Sequence, residues 1–171
     1  INTGDDNTFI GYAAGDATTT ANSNTAVGSG SLTANTTGTL NVAMGSSALA
    51  ASTTGNNNTA IGTLALASNT TADANTGLGA YALYLATGSY NTALGKDSGR
   101  AVGSYSLNAN TTGINNTAVG RVALFANTTG SYNTAIGHIS GDAITTGQSN
   151  TALGYGSGSG ITTSDNNTTL G

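Results

Sequence analysis

The sequence predicts an all-β fold, a parallel β-solenoid of 17-residue coils. A pentapeptide close to Asn-Thr-Ala-aliphatic-Gly recurs ten times, at almost constant intervals, and the residues between copies are rich in Asn, Gly and Thr. The copies begin at Asn7, Asn24, Asn41, Asn58, Asn75, Asn91, Asn116, Asn133, Asn150 and Asn167. Successive intervals are 17, 17, 17, 17, 16, 25, 17, 17 and 17 residues, so we expect one structural unit per 17 residues.

Each pentapeptide is predicted to be the strand of its coil. Because neighbouring strand residues point to opposite faces, the large aliphatic residue at position 4 and the small residue at position 3 must line different surfaces. We expect the aliphatic column to form the structural core: Ile10, Val27, Met44, Ile61, Leu78, Leu94, Val119, Ile136, Leu153 and Leu170. We expect the small column to be the inter-chain face, where sister chains approach closely: Ala26, Ala43, Ala60, Ala93, Ala118, Ala135 and Ala152.

The segments between the strands contain the predicted corners of the coil. Asn at position 12 and Gly at position 15 bracket a Thr-Thr pair, as in residues 127–130, and both residue types tolerate φ > 0. Positions 6 to 11, residues 121–126 in one copy, are compatible with either a second strand or a single helical turn. Stacked coils are expected to align identical Asn and Thr side chains in ladders.

Two coil types differ at positions 9 and 12. Most coils pair Leu with a polar residue, as in Leu124 with Asn127, whereas residues 141 and 158 are Gly and are followed by Ile144 and Ile161. The exchange of a large apolar group between the two positions indicates that both contact the same interior space.

We expect residues 1–171 to form a single repeat array of about ten coils, with an irregular short circuit at 91–103. The 25-residue interval is nine residues short of two repeats, which predicts a stacking defect containing Lys96, Asp97 and Arg100. Their polar side chains are predicted to satisfy backbone groups there or to bridge to another chain. The chain begins at Ile1 and ends within a repeat, so we expect it to be a fragment of a longer fibre protein.

The composition argues against several function classes. Charged residues make up 6% of the chain, only three are Lys or Arg, and there is no Cys, which excludes a nucleic-acid surface and a thiolate metal site. No apolar run approaches the ~20 residues of a membrane-spanning helix, so no membrane insertion is expected.

The candidate chemical motifs are weak, and we predict no catalytic, cofactor-binding or metal-binding residue and therefore no enzyme activity. His138, Ser140 and Asp142 alternate along the chain, but residues two apart on a strand lie side by side and do not converge as a triad requires. The aromatic residues at variable repeat positions are expected either to stack on sugars, or to cover the outer surface or fill gaps between chains. These are Tyr81, Tyr84, Tyr90, Tyr105, Phe125, Tyr132 and Tyr155.

The pentapeptide followed by Ala-Leu and then Asn-Thr-Thr-Gly resembles the head repeats of trimeric autotransporter adhesins, and more closely the shaft repeats of phage-type trimeric tail fibres. The resemblance covers the whole chain and implies a left-handed parallel β-roll in a homotrimer. It also implies a rigid shaft, in a virion tail fibre or on an extracellular surface, that positions a receptor-binding tip for host attachment.

On this interpretation the partners are sister chains, and a cell-surface receptor or glycan is bound by regions outside this chain. The alternative is a bacterial surface adhesin head that binds host matrix or glycans. A more remote alternative, prompted by the stacked Thr-Thr pairs, is an ice-binding solenoid.

Overall fold

The computed structural model describes residues 4–95 and 110–171, and these residues form a parallel β-solenoid. Ten three-residue strands lie in one sheet in chain order. The strands are β1 (Thr8–Ile10), β2 (Thr25–Val27), β3 (Val42–Met44), β4 (Thr59–Ile61), β5 (Thr76–Leu78), β6 (Thr92–Leu94), β7 (Thr117–Val119), β8 (Thr134–Ile136), β9 (Thr151–Leu153) and β10 (Thr168–Leu170). Each strand begins at the second residue of a pentapeptide, and the described residues contain no helix, so the all-β solenoid prediction is confirmed.

The stacking is in register from one coil to the next. Position 3 pairs with position 3 throughout, as in Ala26 opposite Ala43. The backbone between strands also bonds to the following coil: the Leu32 N–H donates to the Ala48 carbonyl at 2.9 Å. Most of each coil therefore satisfies its backbone polar groups in its neighbours, which allows a coil with so little strand to remain ordered.

The chain turns at positions 5, 7, 9 and 17, where the backbone is left-handed. In the second coil these residues are Gly28, Gly30, Leu32 and Leu40, with φ of 137°, 66°, 53° and 59°. Positions 6 to 11 are thus a series of turns, and neither a second strand nor a helical turn forms there. The same conformation is imposed on the β-branched Val122, at φ 66°, where it is sterically unfavourable.

Asn at position 12 and Gly at position 15 do bracket a turn, but for a different reason from the one predicted. The Asn35 side-chain amide donates to the Gly38 carbonyl at 2.9 Å and accepts from the Gly38 N–H at 3.0 Å. A Cβ on Gly38 would lie 2.3 Å from the Gly55 carbonyl oxygen of the next coil. Glycine is needed at this position for close approach between coils, whereas the positive φ angles lie elsewhere.

The interior of the solenoid is lined by the small column, so the assignment of the two faces is reversed from the prediction. The alanines proposed as an inter-chain face, Ala26, Ala43, Ala60, Ala93, Ala118, Ala135 and Ala152, are at most 1% exposed within the single chain. The position-4 column proposed as the core is half-buried or exposed: Ile10, Val27, Met44, Ile61, Leu78, Leu94, Val119, Ile136, Leu153 and Leu170. A 17-residue coil encloses little space, and Leu from position 9 occupies it, so the strand can turn only a small side chain inward.

The predicted exchange between positions 9 and 12 is confirmed. A Cβ on Gly141 would lie 3.1 Å from Ile144 Cδ1 and 3.3 Å from Leu124 Cδ2, so the Ile side chain occupies the space that Leu fills in other coils. A related exchange in the first coil was not predicted: the Phe9 ring lies 2.6 Å from the point where a Cβ on Gly15 would be.

The 25-residue interval advances the chain by one strand position. β6 pairs directly with β7, with Thr92 opposite Thr117, which leaves no place in the sheet for a second, shortened circuit between them. Residues 91–95 and 110–115 match positions 1–5 and 12–17 of a single coil, and 14 residues separate them where other coils have six. This pairing corrects the alignment behind the irregular circuit at 91–103. Lys96, Asp97 and Arg100 themselves lie outside the described residues.

Candidate functional site

The first structural feature that bears on function is a column of buried asparagines at position 1, which we call the Asn ladder. Its members immediately before β2 to β9 are fully buried: Asn24, Asn41, Asn58, Asn75, Asn91, Asn116, Asn133 and Asn150. Buried amides are stable only when their polar atoms are hydrogen-bonded. The Asn ladder meets this condition through contacts between coils.

Asn41 shows the repeating geometry. Its Nδ2 donates to Asn24 Oδ1 at 3.2 Å and to the Gly55 carbonyl at 2.8 Å. Its Oδ1 accepts from both the N–H and the Nδ2 of Asn58, at 2.9 and 3.2 Å. Each amide therefore links its own coil to the coils on both sides, which confirms the predicted ladder of Asn side chains.

The Asn ladder weakens at the 16-residue coil. Asn75 Nδ2 is buried without a hydrogen-bond partner, whereas its equivalent in Asn58 donates to the Ala72 carbonyl at 2.9 Å. The 16-residue coil, residues 75–90, lacks one residue of the Thr-Thr pair. Its Gly88 carbonyl accepts a hydrogen bond from Asn91 Nδ2, at 3.2 Å.

A second ladder runs along position 13. In this column six Thr Oγ1 atoms donate to the carbonyl of the equivalent Thr in the next coil at 3.1 Å, those of Thr19, Thr36, Thr53, Thr111, Thr128 and Thr145. This confirms the prediction of a Thr ladder. Since these hydroxyl hydrogens are used within the solenoid, the column does not offer them to an external ligand.

The outer surface of the sheet is the second feature, and we call it the strand face. It consists of the side chains at positions 2 and 4 of every strand, flanked by position 17 of the preceding coil and by position 6. Among the described residues, twelve of the fourteen large hydrophobic side chains that are exposed lie in these columns. They are Ile10, Tyr12, Leu40, Met44, Leu78, Tyr90, Leu94, Tyr132, Ile136, Leu153, Tyr155 and Leu170.

Charge is nearly absent from the strand face. Within the described residues its only charged side chains are Asp6 and Arg121. Arg121 begins a short column at position 6, where its Nη1 lies 3.1 Å from His138 Nε2. The His138 ring in turn meets the Tyr155 ring edge-on, with centroids 5.5 Å apart.

The residues weighed for catalysis are not brought together. His138 is exposed and contacts Arg121, whereas Ser140 is fully buried and donates to the Ala152 carbonyl at 2.8 Å. Across residues 4–95 and 110–171, no group of three His, Asp or Glu side chains is placed to hold a metal ion. The same residues include no helix long and apolar enough to cross a bilayer.

The described aromatic residues differ in exposure and in their position relative to the strand face. Tyr90, Tyr132 and Tyr155 are exposed on the strand face. Tyr81 and Tyr84 are half-buried against each other, with ring centroids 5.8 Å apart, while Phe125 is exposed outside the strand face. Tyr105 lies outside the described residues.

The strand face was missed from the sequence because the alternation was assigned in the wrong sense. A usable signal was present: position 9 already supplies a buried Leu to most coils, and a 17-residue coil has no room for a second large column.

Comparison of the chain with protein-family models, curated proteins and solved structures found no match.

Proposed function

We propose that this chain is a shaft segment of a trimeric phage or phage-like tail fibre, and that it holds a receptor-binding tip at a fixed distance from the particle. The observation that carries the proposal is the unbroken register of ten strands joined by the Asn ladder. Within the described residues such a stack repeats the same strand and the same contacts from level to level, which suits a spacer better than a site for chemistry.

Rigidity follows from the bonding between coils. Bending the stack would open the ladder hydrogen bonds on one side, and buried amides left unpaired cost about 1–3 kcal/mol each. Ten strands at a spacing of about 4.8 Å span about 45 Å, so the length of the segment is set by the number of repeats.

The expected setting is a virion tail fibre or another extracellular surface, with sister chains as the partners. The resemblance of the repeats to tail-fibre shafts supports this setting, as does the apolar strand face, which a single chain leaves exposed. A receptor or glycan would be bound by regions outside this chain.

The test is electron microscopy of the purified chain together with a tandem duplication of it. We expect rods, and we expect the duplication, which adds ten strand spacings, to lengthen them by about 48 Å without widening them. Sedimentation should give about three times the 16.5 kDa chain mass. Compact particles, or rods that widen on duplication, would contradict the shaft proposal.

A bacterial adhesin head is a second candidate, favoured by the exposure of the aromatic rings. Tyr12 and Tyr155 are 85% and 72% exposed, and such rings stack on sugar faces. Binding of the natural chain to a glycan array, lost in Tyr155→Ala, would support this function over a purely structural one.

An ice-binding surface is a third candidate, favoured by the Thr column at position 2 of the strand face. Thr occupies this position in nine of the ten strands, and Val42 is the exception. Thermal hysteresis of the purified chain, abolished by Thr134→Lys and Thr151→Lys together, would favour this candidate.

A further inference from the structure

We propose that copies of this chain associate through the strand face, with the chains parallel and in register. The inference rests on the proposed fibre and adds the surface by which its chains meet. The occupant of the strand face is therefore a second copy of this chain.

The first argument is the location of exposed apolar area. A column of large hydrophobic side chains runs the full height of the sheet, and Leu78, Leu94 and Leu153 on it are 39%, 40% and 46% exposed. Soluble monomers rarely expose a continuous apolar patch above about 300–600 Å². The whole strand face, with its Thr column, is about 45 Å long and about 17 Å wide. Its area, on the order of 800 Å², is comparable to the area that one chain buries in a stable assembly, and in a trimer it is divided between two neighbours.

The second argument is the near absence of charge. Interfaces are depleted in charge at their centres, and Asp6 and Arg121 are the only charged side chains that the described part of the strand face carries. Both occupy flanking columns, Asp6 at position 17 and Arg121 at position 6. The central columns of Thr and aliphatic residues can therefore be buried without burying an unpaired charge.

The third argument is the match of period. A second copy presents the same rows at the same spacing of about 4.8 Å, so aliphatic side chains from two chains can interdigitate at every strand. A partner without this repeat would match only a few strands. Chains of one fibre run in the same direction, which selects the parallel, in-register arrangement.

The flanking columns suit a closed ring. In a cyclic assembly, the position-17 edge of one chain meets the position-6 edge of the next. At the level of β8 these edges carry Tyr132 and His138, and Tyr132 is 56% exposed in the single chain. The alanines of position 3 cannot serve as the interface, because they are already buried within the coil.

The decisive experiment compares two matched double variants by sedimentation. Leu78→Asp with Leu94→Asp places carboxylates on the strand face, whereas Leu85→Asp with Phe125→Asp places them at positions of similar exposure, 37% each, outside it. We expect the strand-face variant to associate at least ~100-fold more weakly and the control to assemble like the natural chain. Circular dichroism of both variants should retain the natural β spectrum.

Cross-linking gives a second measurement that does not depend on destabilising the assembly. The natural chain has no Cys, so single Cys variants report unambiguously. With a short bis-maleimide, Val27→Cys and Leu153→Cys should each cross-link to themselves, because parallel in-register chains place equivalent residues at one level. Cross-links that form only on mixing the two variants would show antiparallel packing and overturn the proposed arrangement.

The outcomes separate this inference from the proposed function. Rods with a trimeric mass that survives Leu78→Asp with Leu94→Asp would overturn the strand-face interface and leave the fibre proposal standing. Rods that sediment as 16.5 kDa monomers would overturn both the interface and the trimer. Equal weakening by the two double variants would overturn the strand-face interface as well, since association would then not be specific to that face.

Discussion

Replacing Asn41 by Ala tests whether the Asn ladder holds the stack together. The side chain is fully buried and takes part in four hydrogen bonds of 2.8–3.2 Å, to Asn24, Gly55 and Asn58. The substitution removes the acceptor of the Asn58 N–H and the donor to the Gly55 carbonyl. Both backbone groups lie between coils, where they have no access to bulk water.

The expected loss is about 3–5 kcal/mol, because each buried polar group deprived of its partner costs about 1–3 kcal/mol. The free energy of unfolding of a protein domain is about 5–15 kcal/mol in total, so the variant should unfold at a much lower urea concentration than the natural chain. Asn167→Ala should cost less, since Asn167 is half-buried just before the last strand and its amide donates to Asn150 Oδ1 and the Asp165 carbonyl.

The assay is equilibrium unfolding in urea followed by circular dichroism, with all proteins at one concentration because association adds to apparent stability. Asn57→Ser is the matched control. Asn57 is exposed and left-handed at φ 58°, and serine occupies the same coil position at Ser23 and Ser149. The control should change the free energy of unfolding by no more than about 0.5 kcal/mol. A loss below about 1 kcal/mol for Asn41→Ala, or one no larger than that of the control, would refute the role given to the Asn ladder.

Two further predictions test the packing between coils and inside them. Gly38→Ala should destabilise the chain by more than about 2 kcal/mol, because its Cβ would overlap the carbonyl of the next coil, whereas Gly160→Ala, with nothing within 4 Å, should be nearly neutral in the same unfolding assay. Gly141→Leu should destabilise the chain by overpacking against Leu124, and Ile144→Asn should destabilise it by leaving a cavity. The two substitutions should compensate when combined, with a coupling energy of about 1–3 kcal/mol in a double-mutant cycle. Simple additivity would show that the two positions do not share space.

Local chemistry in the sequence was enough to predict the repeating unit. A constant interval between pentapeptides specifies one strand per coil and parallel pairing in register, because each coil must repeat the hydrogen bonds of the one before it. The exchange between Gly141 and Ile144 was also predictable, since a missing large side chain and an extra one three residues later balance within one coil.

The sense of the strand alternation was decided only by the closed coil. Alternation identifies two faces of a strand but does not say which one is enclosed, and that depends on the space left by residues from elsewhere in the circuit. Leu66, at position 9 of its coil, is fully buried, so Ala60 can turn inward where Ile61 cannot. The larger column was therefore left on the outside.

The reason for each glycine, and the path of the 25-residue interval, also emerged only in three dimensions. Both Gly28 and Gly38 lie against the next coil, but only Gly28 also has a positive φ, of 137°, and the sequence does not distinguish the two cases. The length of that interval likewise does not say how many strand positions it occupies, and the direct pairing of β6 with β7 shows that it advances the sheet by one strand. Periodicity in the sequence determined what repeats; the volume enclosed by the closed coil and the pairing of its edges determined which side chains face inward.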